Sequence, residues 1–324
     1  SEMGAGWNLG NTMDGHSGFT PGETTWQPYI TTKAMIKSVH DLGINTIRIP
    51  VTWGTMIDEE NGYKINEKWI SRVQDIVDYC VSLDMYAIIN IHHDGAEQDG
   101  WLRVAADDID SVYEEFECVW RNIAEKFKDY DEHLIFESMN EVTSGSNDKA
   151  NVLFDNPIIM NMNQIFVNVV RSTGSNNMKR WLSLPGHYAL PSAVTNKDYG
   201  FKLPIDSVPD RLFVAAHIYA GPSGFYMGSN MTSTVCNFAD CTDMINKINV
   251  LGTTWSKKGV PVIIGEFGCI NKNNPTERAH YIEIFNRSCK NAGMLVPCYW
   301  DQGWFDRAQT PADYSFSIID RKNL

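Results

Sequence analysis

The residues best suited to chemistry in this 324-residue chain are carboxylates and imidazoles placed just after short apolar runs. Glu141 closes Ile135-Phe136-Glu137-Ser138-Met139-Asn140-Glu141, and Glu266 closes Val262-Ile263-Ile264-Gly265-Glu266. Two glutamates in unequal surroundings divide the work of a reaction. One stays ionised as nucleophile or base, and the other keeps a proton to donate. Other runs end in Arg48, in His92-His93-Asp94, in His217 with Tyr219, and in Trp300-Asp301. A single glutamate in such a place is usually a salt-bridged loop residue. Six run ends carrying Arg, His, Asn-Glu, His-x-Tyr, Glu and Trp in one chain are not accounted for that way.

The elements that must position these residues are legible in the hydrophobic pattern. Strand-like runs cover residues 6–9, 45–50, 86–92, 134–138, 181–184, 212–217, 262–266 and 295–300. Several are apolar on both faces and β-branched, as expected of parallel strands covered on both sides. Helical periodicity covers 33–42, 67–83, 111–127, 157–171, 240–255 and 276–291. Alternating strands and helices, eight strands in all, predict a (β/α)8 barrel forming one catalytic domain over residues 1–324. Strand C-terminal ends converge on one face of that fold, so the polar residues above are expected to meet there. No G-x-G-x-x-G follows the first strand, which argues against a dinucleotide site. No helix precedes the first strand, and residues 313–324 are too short for a full closing helix. Both ends therefore read as trimmed, with a removed signal peptide among the expectations.

Composition narrows the function classes. The net charge of −13 argues against nucleic acid, anionic membrane and polyanionic substrates. No apolar run is long enough for a transmembrane helix. Seven cysteines form no C-x-x-C pair, so a structural zinc site is not expected; Cys236 and Cys241 bracket a segment that a loop disulfide would close. Ten tryptophans and thirteen tyrosines exceed the needs of a core and suit the apolar faces of sugar rings.

The ordered segments Gly6-Trp7-Asn8-Leu9-Gly10-Asn11-Thr12, Thr46-Ile47-Arg48-Ile49-Pro50-Val51-Thr52-Trp53, Ile89-Asn90-Ile91-His92-His93-Asp94, Ile135 to Glu141, His217-Ile218-Tyr219, Ile264-Gly265-Glu266-Phe267-Gly268 and Trp300-Asp301 together carry a resemblance. The chain resembles glycoside hydrolase family 5, and the Trp-Asn-Leu-Gly-Asn-Thr start with His-His-Asp resembles its bacterial endoglucanases that also cut mixed-linkage glucan and xyloglucan. The resemblance implies an endo-acting retaining β-1,4-glucanase with no cofactor, a polysaccharide substrate, a monomeric state and secretion. It implies Glu141 as acid/base and Glu266 as nucleophile. It implies Asn140 at the sugar 2-hydroxyl, Arg48 and Tyr219 holding the nucleophile ionised, His217 beside the acid/base, His92 in the site and Trp300 as stacking platform. Asn11 and His93 join them as expected substrate-binding residues.

The chemistry of glycoside cleavage agrees with that pair, since it needs a proton donor at the leaving oxygen and a carboxylate at the anomeric carbon. Arg48 is expected to favour the charged form of Glu266, and the neighbouring carboxylate the protonated form of Glu141. Rival readings are a β-mannanase or dedicated xyloglucanase, and an inactive glycan-binding protein, which has no need of two carboxylates. An esterase needs a nucleophile elbow, and Gly221-Pro222-Ser223-Gly224 reads as a loop. A metal at His92-His93-Asp94 is opposed by strand alternation, which lets only one of two neighbours face the site. Trp26, Trp53, Trp101 and Trp304 are left open between cleft and loop packing, and Glu137 between barrel interior and helix side.

Overall fold

A run such as Ala87-Ile88-Ile89 has no polar face to give to water, so it must be covered on both sides. The computed structural model, which describes residues 2–95, 100–222, 225–226, 233–304 and 315–324, covers it inside and out. Strands β1 (Ala5–Asn8), β2 (Ile44–Ile49), β3 (Tyr86–Asn90), β4 (Leu134–Glu137), β5 (Leu182–Pro185), β6 (Leu212–His217), β7 (Val262–Phe267) and β8 (Leu295–Tyr299) are all parallel. They close into a barrel in chain order, with β1 paired to both β2 and β8. This is the (β/α)8 barrel expected from the sequence.

Outward residues of the strands pack under helices α1 (Lys33–Asp41), α2 (Glu67–Val81), α3 (Ile109–Phe127), α4 (Lys149–Ser172), α5 (Pro191–Thr195), α6 (Thr242–Thr254) and α7 (Pro275–Ala292). Each lies between consecutive strands. Side chains at their N-termini accept otherwise unpaired amides: Thr32 for α1, Asn66 for α2, Asp108 for α3 and Asp148 for α4. The start of α4 corrects the sequence reading, which began it at 157. The Asp148 cap opens the helix earlier, and Pro157 is accommodated inside it. The five-residue α5 was not anticipated, since it is too short to show a period. Two short hairpins, His16–Ser17 with Thr20–Pro21 and Ile57–Asp58 with Lys64–Ile65, sit in the loops after β1 and β2.

Inside the barrel the side chains fall in layers. Ile88, Ile135, Phe213, Ile263, Val296 and Cys298 form an apolar plug above Met3. One step toward the C-terminal ends, the inward residues turn polar. Register sets Asn8 beside Arg48, Asn90 beside Glu137 and His217 beside Glu266. The pairing of β7 slips against both neighbours near this level, between Ala216 and His217 on β6 and between Ile264 and Phe267 on β7 itself. Gly265 shows why. A Cβ there would sit 2.9 Å from His217 Nε2 and 3.2 Å from Arg48 Nε, so only glycine lets the polar layer close.

After β8, no α-helix follows among the described residues. The segment from Ser315 packs back across β8 and β1 and ends in a short turn, Arg321–Asn323. Asp301 anchors it: Oδ2 accepts the amides of Ile318 and Ile319, and Oδ1 accepts from Gly303 N–H and the Arg321 guanidinium. Arg321 also donates to Gly10 O and Thr12 Oγ1 and lies over the Trp7 ring. Residues 313–314 of the expected tail, and Ser223-Gly224 of the loop weighed as a nucleophile elbow, lie outside the described residues. Cys236 and Cys241, whose spacing left a loop disulfide open, are free thiols with their sulfurs 3.9 Å apart.

Candidate active site

Arg48 organises the polar layer. It is fully buried, and all five of its N–H donors are committed. Nε faces the Glu137 carboxylate at 3.2 Å; Nη1 donates to Asn8 Oδ1 at 3.0 Å and to Glu266 Oε1 at 2.9 Å; Nη2 donates to Glu137 Oε1 at 2.6 Å and to Asn140 Oδ1 at 2.7 Å. A guanidinium has no acceptor, so the Asn140 atom facing it is the oxygen, and the Asn140 amide nitrogen is left for the cleft. Burial disfavours the charge on Arg48, but Glu137 and Glu266 outweigh burial and raise its pKa.

Glu266 is held on its other side by Tyr219, whose hydroxyl donates to Oε2 at 2.9 Å. Burial pushes Glu266 up. The charges of His217 and Arg48 and the Tyr219 hydrogen bond overcome it and hold the carboxyl below the usual glutamate range. Tyr219 in turn is pushed far up by burial and by the charge of Glu266, so it remains a donor. His217 Nδ1 lies 2.6 Å from Glu141 Oε1 and 3.8 Å from Glu266 Oε2. Burial opposes its charge, and the two glutamates raise its pKa despite that. A carboxylate oxygen of Glu141, a ring nitrogen of His217 and a carboxylate oxygen of Glu266 all lie within 4.8 Å of one another. Such spacing suits one carboxylate attacking a carbon while the other protonates the group leaving it.

Glu141, Glu266, His92, His93, Asn140, His217, Tyr219 and Trp300 line one cavity of about 480 Å³, together with Tyr188, Leu190 and Pro191. Eight of the ten expected site residues thus meet there. Arg48 lies beneath, out of reach of any ligand, and acts on Glu266 from below. Asn11 does not line the cavity; it follows β1 in a left-handed conformation (φ 56°), and Asn8 is the asparagine of that segment which enters the polar layer.

Strand alternation does not govern the two histidines, contrary to the expectation that only one of them faces the site. β3 ends at Asn90, so His92 and His93 lie beyond the strand and both face the cavity. Their rings meet edge to face at 4.5 Å. Burial first, then the positive neighbours His93 and Arg48, keep His92 neutral, and its ring stacks parallel to Trp300 with centroids 5.9 Å apart. For His93 burial is outweighed by Asp14, 3.5 Å away, and its pKa is raised. Asp14, His92 and His93 offer atoms at metal-ligand spacing, as do Glu141, His217 and Glu266. Asp94, by contrast, turns away and accepts the amides of Trp53 and Gly54 and the Trp101 indole N–H.

Of the open tryptophans, Trp53 is buried with its indole on Asn90 O, and Trp101 is spent on Asp94. Trp26 stands edge-on to His93 at 5.0 Å, held from behind because Trp304 donates to its carbonyl. Glu137 points into the barrel, where it accepts from Arg48 and, at 2.9 Å, from Asn90; Asn90 Nδ2 in turn lies 3.1 Å from His92 Nδ1. The inward members Asn8, Asn90 and Glu137 were missed as functional. The available signal for Asn8 and Asn90 is that each interrupts an apolar run, between Trp7 and Leu9 and between Ile89 and Ile91; nothing in the sequence tells which side Glu137 takes.

The family model described as Cellulase (glycosyl hydrolase family 5) matches residues 10–305. Endoglucanase A of Clostridium longisporum is 36% identical over 100% of this chain, which spans 62% of that protein's length. Among solved structures, a GH5-4 broad specificity endoglucanase from Ruminococcus champanellensis with bound cellotriose superposes with a TM-score of 0.89 at 35% identity, covering 100% of this chain and 92% of its own. A family 5 xyloglucanase from Paenibacillus pabuli superposes with a TM-score of 0.89 at 35% identity, covering 99% and 94%.

Proposed function

The chain belongs to glycosyl hydrolase family 5, and from that premise we propose that it is a retaining endo-β-1,4-glucanase acting on soluble cellulose derivatives, mixed-linkage β-glucan and xyloglucan. The observation that carries the reading is the separation of Glu141 and Glu266, with oxygens within 4.8 Å. Retaining pairs stand about 5–5.5 Å apart, and inverting pairs leave room for a water at about 6.5–9.5 Å.

Glu266, ionised by Arg48 and Tyr219, attacks the anomeric carbon as its bond to the glycosidic oxygen breaks, and Glu141 gives that oxygen a proton. Water then attacks the same carbon, losing its proton to Glu141, and Glu266 leaves as a carboxylate. The free amide of Asn140 suits a donor to the 2-hydroxyl, and the Trp300 face suits a sugar ring. The xyloglucanase and the cellotriose-bound endoglucanase among the similar structures support a β-glucan range over mannan. We place the enzyme outside the cell, where a polymer substrate lies, and working as a monomer; among the described residues no helix is long and apolar enough to cross a membrane.

Reducing-end release from carboxymethylcellulose, barley β-glucan, xyloglucan and mannan tests the substrate. The glucans are expected to exceed mannan, and mannan as best substrate overturns the preference. Glu266→Ala is expected to bind glucan without turnover, and retained turnover removes its role as nucleophile.

A further inference from the structure

The turn between β5 and α5 is strained. Tyr188 has φ 49° and ψ 26°, and Ala189 has φ 48°, two successive non-glycine residues in the left-handed region. L side chains avoid it, and such strain persists only where surroundings over-determine the backbone.

Here they do. His187 is fully buried, with Nδ1 2.6 Å from Asp155 Oδ2 and Nε2 3.1 Å from Asn147 Oδ1, and its amide donates to Asn156 Oδ1 at 2.9 Å. The same Asp155 Oδ2 accepts the Ser144 amide at 2.8 Å, and the Tyr188 amide donates to Val142 O at 3.0 Å. One buried carboxylate on α4 therefore ties the loop that carries Glu141 to the turn that carries Tyr188. Asp155 and His187 line no part of the cavity, and the reaction described above makes no use of them. Tyr188 does line it, as does Glu141, whose carboxylate interacts with the Tyr188 hydroxyl. The charge of Glu141, then burial, then the charge of Glu266 push the Tyr188 hydroxyl up to about 12, so it keeps its proton at working pH.

We propose that Tyr188 is a positioning residue acting through Glu141: its hydroxyl donates a hydrogen bond to the Glu141 carboxylate, and the buried Asp155–His187 pair holds it there by locking the strained turn. This rests on the reading of Glu141 as acid/base. In that role Glu141 is a carboxylate in the covalent intermediate, and it has His217 on Oε1. A second donor steadies the ionised form that must take a proton from water.

The test is the pH dependence of kcat/KM on barley β-glucan. A donor to the ionised form favours that form, so removing it favours the acid, and the alkaline limb should move up. Tyr188→Phe is expected to keep the parental Tm and shift that limb by about one pH unit. His187→Gln leaves Tyr188 in place and releases the turn, and should shift the limb the same way by less. An unshifted limb in either folded variant overturns the proposal, because a purely structural role moves Tm and not the limb. Glu141→Ala with azide and 2,4-dinitrophenyl β-cellobioside separates the two readings. Restored turnover supports Glu141 as acid/base, so that an unshifted limb then counts against Tyr188 alone. No restoration overturns the Glu141 reading and the proposal together.

Discussion

Arg48 stands between two carboxylates, Glu137 and Glu266, and only Glu266 reaches the cavity. Glu137 therefore moderates the charge that Glu266 feels. Glu137→Gln leaves the whole of Arg48's charge to Glu266, which is then held still lower. The acid limb of the kcat/KM profile should move to lower pH, and kcat should fall about tenfold as the nucleophile weakens, an effect on the order of 1.4 kcal/mol. An acid limb that stays put or rises contradicts this. Glu141, Glu266, His217 and Trp300 were legible because each closes or directly follows an apolar run, as Glu266 ends Val262-Ile263-Ile264-Gly265. Glu137 was not, because sequence does not tell which side of a barrel strand a buried glutamate takes. Tyr188 was not either, because its place depends on a loop conformation and on Asp155, a helix residue far from it in sequence.

At the scale of elements, both-face apolarity located all eight strands within a residue or two, and the caps set helix starts that periodicity left vague. The two-residue strands of the hairpins and the single turn of α5 carry too few residues for any period. The covering of β8 depends on one side chain. Asp301 holds the amides of Ile318 and Ile319 and pairs with the buried Arg321. Asp301→Ala leaves a buried guanidinium short of its partner and the amides of Gly303, Ile318 and Ile319 unpaired, at a cost of about 3 kcal/mol. Thermal denaturation should show a Tm lowered by several degrees. A Tm within about one degree of the parent contradicts this role for Asp301. The sequence placed Asp301 beside Trp300 at the site, and only the fold separates the residue facing sugar from the one holding the tail.

For the whole molecule, the barrel unites side chains from far-separated segments into one charged layer under one cleft. Glu266 is held below the usual glutamate range by that layer, so its contribution to stability is present above the unfolded value and is lost as pH falls through the folded one. Acid therefore weakens the fold and the nucleophile together. The proposed double displacement requires a covalent bond between Glu266 and the sugar. Inactivation with 2,4-dinitrophenyl 2-deoxy-2-fluoro-β-cellobioside, followed by mass spectrometry of the digested protein, tests it most directly. A single glycosyl adduct on the peptide bearing Glu266 is expected. An adduct on another residue, or no adduct with products released in the inverted anomeric form, contradicts it.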